Sequence, residues 1–336
     1  MALRFLTENV KARMMPLIEV PPARLTCKKG ETSVNVDKCM AETVKEIELS
    51  WGDQPFFLDM GILDKVDGGS GLSTEALLRA RNQCESRLLN GIPVTGLDRD
   101  RSYQGAVRDY ASRCGSVCLR VSSEGIGNGN TLAEVDRFVD SVGLRQKNVH
   151  LVVDFGFLNE TIAPYGQIYK RIPDAEGWAS IVICGGSFPV DLSEFSLGTQ
   201  EVPRREWLAW KGQIAVESES RWPIYGDYTI QHPIFREPPE FSNPSASIRY
   251  TVEDAWLIFR GEGLRGSELG NEQYAGHAIL LRDREEYYGK SFSFGDKYAW
   301  DIAEGCSKTG NPMSWIRAGV NHHITVVVRQ IERLAG

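Results

Sequence analysis

Long apolar runs are missing from this sequence. No stretch of its 336 residues approaches the roughly 18 consecutive apolar residues that a membrane span needs. The start, MALRFLTENVKARMM, lacks the apolar core and small-residue cleavage site of a secretory signal, so a cytoplasmic location is expected. Basic charge is not in excess. With 38 Lys and Arg against 45 Asp and Glu, the net charge is -7, and direct nucleic-acid binding is not expected. The seven cysteines contain no CxxC, and the closest pair is Cys114 and Cys118. That spacing excludes the paired ligands of a zinc site and points to free thiols without a structural disulfide. HExxH, Gly-x-Ser-x-Gly and Cys/His dyad signatures are absent, so classical hydrolase triads are not indicated. No proline- or serine-rich linker divides the chain.

What the sequence does contain is alternation. Short apolar runs at Pro16–Val20, Pro55–Met60, Gly91–Leu97, Ser116–Val121, Val149–Phe155 and Ala179–Gly186 read as strands. Between them lie amphipathic stretches at Asn35–Leu49, Ser73–Leu89, Tyr103–Cys114, Thr131–Leu144 and Ala163–Arg171. In the first of these stretches Val36, Met40, Val44 and Ile47 recur three or four residues apart, which is helical spacing. Val149–Phe155 has the continuous β-branched character of a parallel strand covered on both faces. A short helix at Arg204–Lys211 and a strand at Ile224–Ile230 follow. Ala246–Val252 and Ala255–Arg260 then read as strands joined by a tight Glu253-Asp254 turn. Residues 231–245 form a proline-rich loop, Gly261–Gly270 a glycine-rich one, and the tail carries helices including Gly295–Cys306 and Ile324–Leu334. Repeated strand–helix units imply a parallel sheet. About eight strands in about 250 residues match a (β/α)8 TIM-barrel-like domain, with an open doubly wound sheet as the alternative. The expectation is a single barrel-like domain over residues 1–336, with 261–336 as a helical extension.

Polar residues stand at the C-terminal ends of several of these strands: Glu19, Asp59, Arg120, Asp154, Asp227 and Arg249. In a β/α barrel those ends converge on one face, where catalytic and binding groups collect. Asp154 is the sharpest, because a carboxylate leaving an apolar strand is costly unless paired, bonded or coordinating a cation. The bland reading is that such acids cap the next turn or pair with a neighbouring arginine. Arg120, Arg249 and Arg260 offer planar forks that match phosphate or carboxylate oxygens, and Tyr250 adjoins the second of them. Of the five histidines, His232 lies just past a strand end and is the best acid/base candidate. His150 sits at the opposite end of its strand, and the adjacent His322 and His323 cannot face one way. Gly125–Gly129 and Gly185–Ser187 follow strands but match neither a dinucleotide fingerprint nor a Walker A loop. Trp207, Trp210, Trp222 and Trp256 read chiefly as core, with a recognition surface as the functional option.

Several short strings together resemble the phage-type beta protein family of phage and bacterial genomes. They are Pro16-Leu-Ile-Glu19, Phe57-Leu-Asp59, Pro93-Val94, Leu119-Arg120, Val153-Asp154, Tyr225-Gly-Asp-Tyr228 with His232-Pro233, Ala246-Ser-Ile-Arg-Tyr250, and Gly310-Asn-Pro312 with Trp315. They span nearly the whole chain. The resemblance implies a setting of phage genomes, mobile elements and phage–host conflict, and supplies no catalytic residue.

Two functional readings follow, beside a third in which the chain is a degenerate barrel that has kept the fold and lost the chemistry. In the first, the chain is a binding subunit of a complex in phage–host conflict, recognising a protein partner or a second copy of itself. In the second, it is a divalent-metal enzyme using magnesium or manganese on an anionic, phosphorylated or nucleotide substrate. There Asp154, Asp227 and His232 are catalytic, while Glu19, Asp59, Arg120, Arg249 and Tyr250 bind substrate. The enzyme reading requires carboxylates converging with open coordination positions. The binding reading requires carboxylate–arginine pairs closing the mouth beside an exposed apolar patch.

Overall fold

A computed structural model of the chain describes residues 1–22, 35–67, 71–127, 130–160, 163–217, 222–237 and 241–335. Cys27 and the end of the Gly125–Gly129 stretch lie outside these residues. The elements in chain order are α1 (Glu8–Lys11), β1 (Leu17–Glu19), α2 (Val36–Trp51), β2 (Phe56–Asp59), α3 (Gly61–Asp67), α4 (Leu72–Ser86), β3 (Gly91–Thr95), α5 (Arg101–Cys114), β4 (Val117–Ser122), α6 (Ser123–Gly127), α7 (Asn130–Val142) and β5 (Val149–Phe157). They continue with α8 (Tyr165–Tyr169), β6 (Ser180–Gly186), β7 (Gly198–Pro203), α9 (Arg205–Glu217), β8 (Ile224–Asp227), β9 (Ser245–Thr251), β10 (Ala255–Gly263), α10 (Gln273–Arg282), α11 (Phe294–Ala303) and α12 (Pro312–Ala335).

Seven strands form one parallel sheet in the order β1-β2-β3-β4-β5-β6-β8. The sheet curls into a half-barrel and does not close, because β1 and β8 remain its two edges. This corrects the closed (β/α)8 barrel. Among the described residues no eighth parallel strand follows: after β8 the next strands, β9 and β10, form a hairpin. There β9 and β10 pair antiparallel, closed by the bond from the Val252 N–H to the Ala255 carbonyl at 2.9 Å. The hairpin sits where the sequence puts it, around Glu253 and Asp254. With β7 it makes a separate three-stranded sheet, β7-β10-β9. β7 is a largely exposed edge strand rich in polar residues, so it carries no apolar signal that would announce it.

Alternation along the strands separates two packing layers. Phe56, Leu58, Val117, Leu119, Val121, Leu151, Val153 and Ile181 join the helices in the main core, whose helical side includes Met40, Val44 and Ile47 of α2 and Tyr103, Val107 and Tyr110 of α5. Each fully buried large apolar side chain of this kind contributes roughly 1.5–3 kcal/mol. The residues between them, Phe57, Ile92, Val94, Cys118 and Val152, form a smaller cluster on the concave face. Trp207 and Trp210 are buried with Tyr225 on the helix side of β6 and β8, with Trp222 packed against them, as core.

Helix ends follow local chemistry. The Asn35 side chain accepts the Lys38 N–H at 2.9 Å and starts α2, and Asp100 accepts the Ser102 N–H at 2.7 Å to start α5. Gly115 ends α5 at φ 77, a left-handed position that suits glycine. α12 begins at Pro312, where a missing N–H is harmless, with Asn311 accepting the Ser314 N–H at 3.1 Å. It therefore starts well before Ile324, and His322 and His323 lie in its interior. Among the described residues no helix is long and apolar enough to cross a membrane.

Candidate functional site

Parallel strands deliver their C-terminal ends to one edge of the sheet, and residue parity decides which face each side chain takes. Glu19, Asp59, Arg120 and Asp154 each stand two residues beyond a member of the concave-face cluster, after Leu17, Phe57, Cys118 and Val152. All four therefore rise on the same face. In register, Glu19 is opposite Asp59, a like-charge pairing that needs a cation.

Arg120 supplies it. Its Nη1 donates to Glu19 at 2.8 Å and to Asp59 Oδ2 at 3.0 Å. Its Nε and Nη2 donate to Asp154 Oδ2 at 2.9 and 2.8 Å. Nη2 also meets the Tyr228 hydroxyl at 2.6 Å, and that hydroxyl donates to Asp154 Oδ2 at 2.6 Å. Asp59, which is 0% exposed, takes a second guanidinium from Arg99 at 2.8 Å, and Arg99 also reaches Asp64 at 2.5 Å. Burial alone would loosen the Arg120 proton. The Tyr228 oxygen and the carboxylates of Asp154, Glu19 and Asp59 outweigh it and hold the guanidinium firmly charged. Burial also pushes the Tyr228 phenol well above its ordinary range, so it remains a donor.

Three strand-end acids share a second feature. Asp59 accepts the Gly61 N–H at 2.7 Å, Asp154 the Gly156 N–H at 2.8 Å, and Asp227 the Thr229 N–H at 2.9 Å. Asp59 and Asp227 thus shape the turns that end their strands, and Asp154 the register shift between Asp154 and Phe157 within β5. The turn after β8 carries strain: Thr229, a β-branched residue, stands at φ 59. That bend lies next to Tyr228, whose phenol reaches across to Asp154.

Tyr228 occupies the position the sequence reading gave to Asp227. Gly185 is the register partner of Asp227, as Ile183 is of Tyr225, and Ile183 and Tyr225 belong to the helix-side cluster. Asp227 faces that side as well, where its Oδ2 bonds His323 Nε2 at 2.9 Å while Thr251 meets His323 Nδ1 at 2.9 Å. Burial would raise Asp227, but His323, Arg204 and the Thr229 N–H outweigh it and pull the carboxyl down to about 2. Burial lowers His323, so the neutral ring donates from Nε2 and accepts at Nδ1. The neighbouring His322 turns the other way, to Asp296 at 2.8 Å and the Thr251 carbonyl at 2.8 Å.

The remaining candidates lie elsewhere. His232 sits in the loop after β8, its ring against Phe157 at 4.6 Å and its Nδ1 accepting the Ile234 N–H at 3.0 Å. No carboxylate bonds it among the described residues. Arg249 and Tyr250 belong to the small sheet. Tyr250 donates to Asp296 at 2.7 Å and accepts the Tyr288 N–H at 2.9 Å. His150 bonds Ser180 at 2.7 Å at the far end of β5, and burial lowers it to about 4.

The donor set does not fit magnesium or manganese. The space between Glu19, Asp59 and Asp154 is filled by the Arg120 guanidinium. Among the described residues no three acids, histidines or cysteines are gathered as ligands. Chemically, the arrangement is a clamp in which one arginine offsets part of the charge of three carboxylates and ties four strands to one another at this edge.

No curated protein and no solved structure matches the chain. A family model for Beta protein matches residues 1–329, nearly all of the 336 residues, and the chain belongs to that family.

Proposed function

We propose that this protein is a recognition subunit that holds a protein partner at the C-terminal edge of the half-barrel. The setting we propose is phage–host conflict, which the family resemblance implies. One observation carries the reading. Beside the closed Arg120 clamp, apolar side chains stand in solvent: Phe157 is 42%, Ile234 50% and Phe235 37% exposed. Phe157 ends β5 and the other two lie in the loop that follows β8, where the His232 ring meets Phe157 and accepts the Ile234 N–H. Exposed aromatic and aliphatic anchors over a rigid polar base are what a binding surface requires. Among the described residues the four acids Glu19, Asp59, Asp64 and Asp154 pair with two cations, Arg99 and Arg120, so the edge is net acidic and suits an apolar segment flanked by basic residues.

The metal-enzyme alternative needs carboxylates free to ligate or to accept a proton. Here each is engaged by a guanidinium or a turn N–H. The test is photocrosslinking in the native host from benzoylphenylalanine placed at Ile234, with Leu88, 85% exposed, as the remote control. A discrete protein adduct at Ile234 and none at Leu88 is expected. Equal labelling at both positions, or none at either, would sink the reading.

A further inference from the structure

The β7-β10-β9 sheet has two faces. One carries Ile248, Tyr250, Leu257 and Phe259 and is covered by residues of α10 and α11, including Tyr274, Ala278 and Ala299. The other carries Trp256 and Ile258 and lies against Phe188 and Ile230. Arg249 is opposite Ile258, and Arg260 is opposite Ser247. The two arginines are therefore diagonal neighbours on that second face.

Neither arginine forms an ion pair among the described residues, in contrast to Arg99 and Arg120. Arg249 donates Nη1 to the Ile230 carbonyl at 2.9 Å and lays its guanidinium on the Phe188 ring at 4.7 Å. Arg260 donates Nη1 to the Phe195 carbonyl, and its Nε is buried with no partner. The indole N–H of Trp256, whose ring meets Phe188 at 5.1 Å, is also buried and unpartnered. Asp191 is the acid that feels the field of Arg260, and its Oδ1 is taken by the Ser193 N–H and hydroxyl. Both arginines keep part of their surface in solvent.

A half-buried guanidinium with no counter-ion is expensive, because its lost hydration is not replaced. For Arg249, burial pulls the guanidinium down to about 10. Two guanidinium groups without an ion-pair partner among the described residues thus share one sheet face. Two cations call for a dianion, and their unengaged fork nitrogens match the oxygens of a tetrahedral group.

We propose that Arg249 and Arg260 form a receptor for a phosphate-class dianion at the solvent-facing side of their guanidinium groups, apart from the Arg120 clamp. The site stands independently of the partner reading above. The test is titration of the full chain with inorganic phosphate, followed by 31P line width at constant ionic strength, with succinate as the dicarboxylate competitor. Saturable phosphate binding is expected, weakened about ten- to hundredfold by Arg260→Gln, the loss that one charge-assisted hydrogen-bonding group produces. Arg249→Lys, which keeps charge and loses the fork, should weaken it similarly. If that variant does not fold, Arg260→Gln decides alone. Phosphate that shows no saturation, or binds Arg260→Gln as tightly as the wild type, overturns the proposal. Succinate displacing phosphate at equal concentration overturns the assignment to phosphate.

Discussion

Replacing Arg120 by methionine keeps its apolar stem and removes the cation shared by Glu19, Asp59 and Asp154. Deleting one partner of a buried ion pair costs about 3–5 kcal/mol. The lower end applies here, for two reasons. Asp59 retains Arg99 and the Gly61 N–H, and Asp154 retains the Gly156 N–H and Tyr228. About 3 kcal/mol at pH 7 is the expected loss, read by urea unfolding. The deficit should shrink toward pH 4, where protonating the stranded carboxylates relieves their repulsion. A second readout addresses the space itself. With the guanidinium gone, three carboxylates face one gap, so millimolar manganese should raise the midpoint of Arg120→Met and leave the wild type unchanged. A loss below about 1 kcal/mol at pH 7, or a loss equally large at pH 4, would refute the view that Arg120 neutralises the edge.

Other perturbations test neighbouring steps. Tyr228→Phe removes the hydroxyl between Asp154 and Arg120, both at 2.6 Å, and should cost about 1.5–3 kcal/mol by the same unfolding assay. Burial lowers His323 from its ordinary 6.5, so the unfolded chain gains a proton first and stability falls as pH drops below about 6.5; His323→Gln should flatten that limb. Asp227, held at about 2 against an ordinary 3.8, contributes fully above about pH 4 and loses its contribution between there and pH 2, seen in acid unfolding of Asp227→Asn. Glu206, buried in the first turn of α9 and accepting the Ser187 hydroxyl at 2.5 Å, has the opposite sign. Burial raises it from 4.5 to about 7, so its contribution declines as pH rises through that window, by about 3 kcal/mol at most, and Glu206→Gln should hold stability more level from pH 5 to 8. Ile234→Asp with Phe235→Asp should change stability by less than about 0.5 kcal/mol while abolishing a crosslink from benzoylphenylalanine placed at Phe157.

The parts of this molecule that were legible are those governed by strand period and strand direction. Each parallel strand announces itself by an apolar run, and the direction of the chain then sends Glu19, Asp59, Arg120 and Asp154 to one edge without further information. Closure is different, because nothing local distinguishes a seventh parallel strand that needs an eighth from one that does not. The hairpin at Ala246–Arg260 was visible as two strands, yet its membership in a second sheet depends on β7, whose Thr199, Gln200 and Glu201 carry no apolar pattern. Site residues failed where the argument stopped at the strand end and ignored parity. Asp227 and Tyr228 are adjacent, and a strand sends adjacent side chains to opposite faces, so only one of them joins the clamp. The cue was present in the tyrosine's place one residue past Asp227. The same rule, applied across the β9–β10 register instead of along one strand, sets Arg249 diagonally beside Arg260. Of the three arginines that read as anion ligands, the one at the sheet edge is spent on neutralising its neighbours, and the two in the small sheet are not. An arginine's chemistry in this fold is therefore decided by which carboxylates its strand partners bring, and the small sheet brings none to this pair.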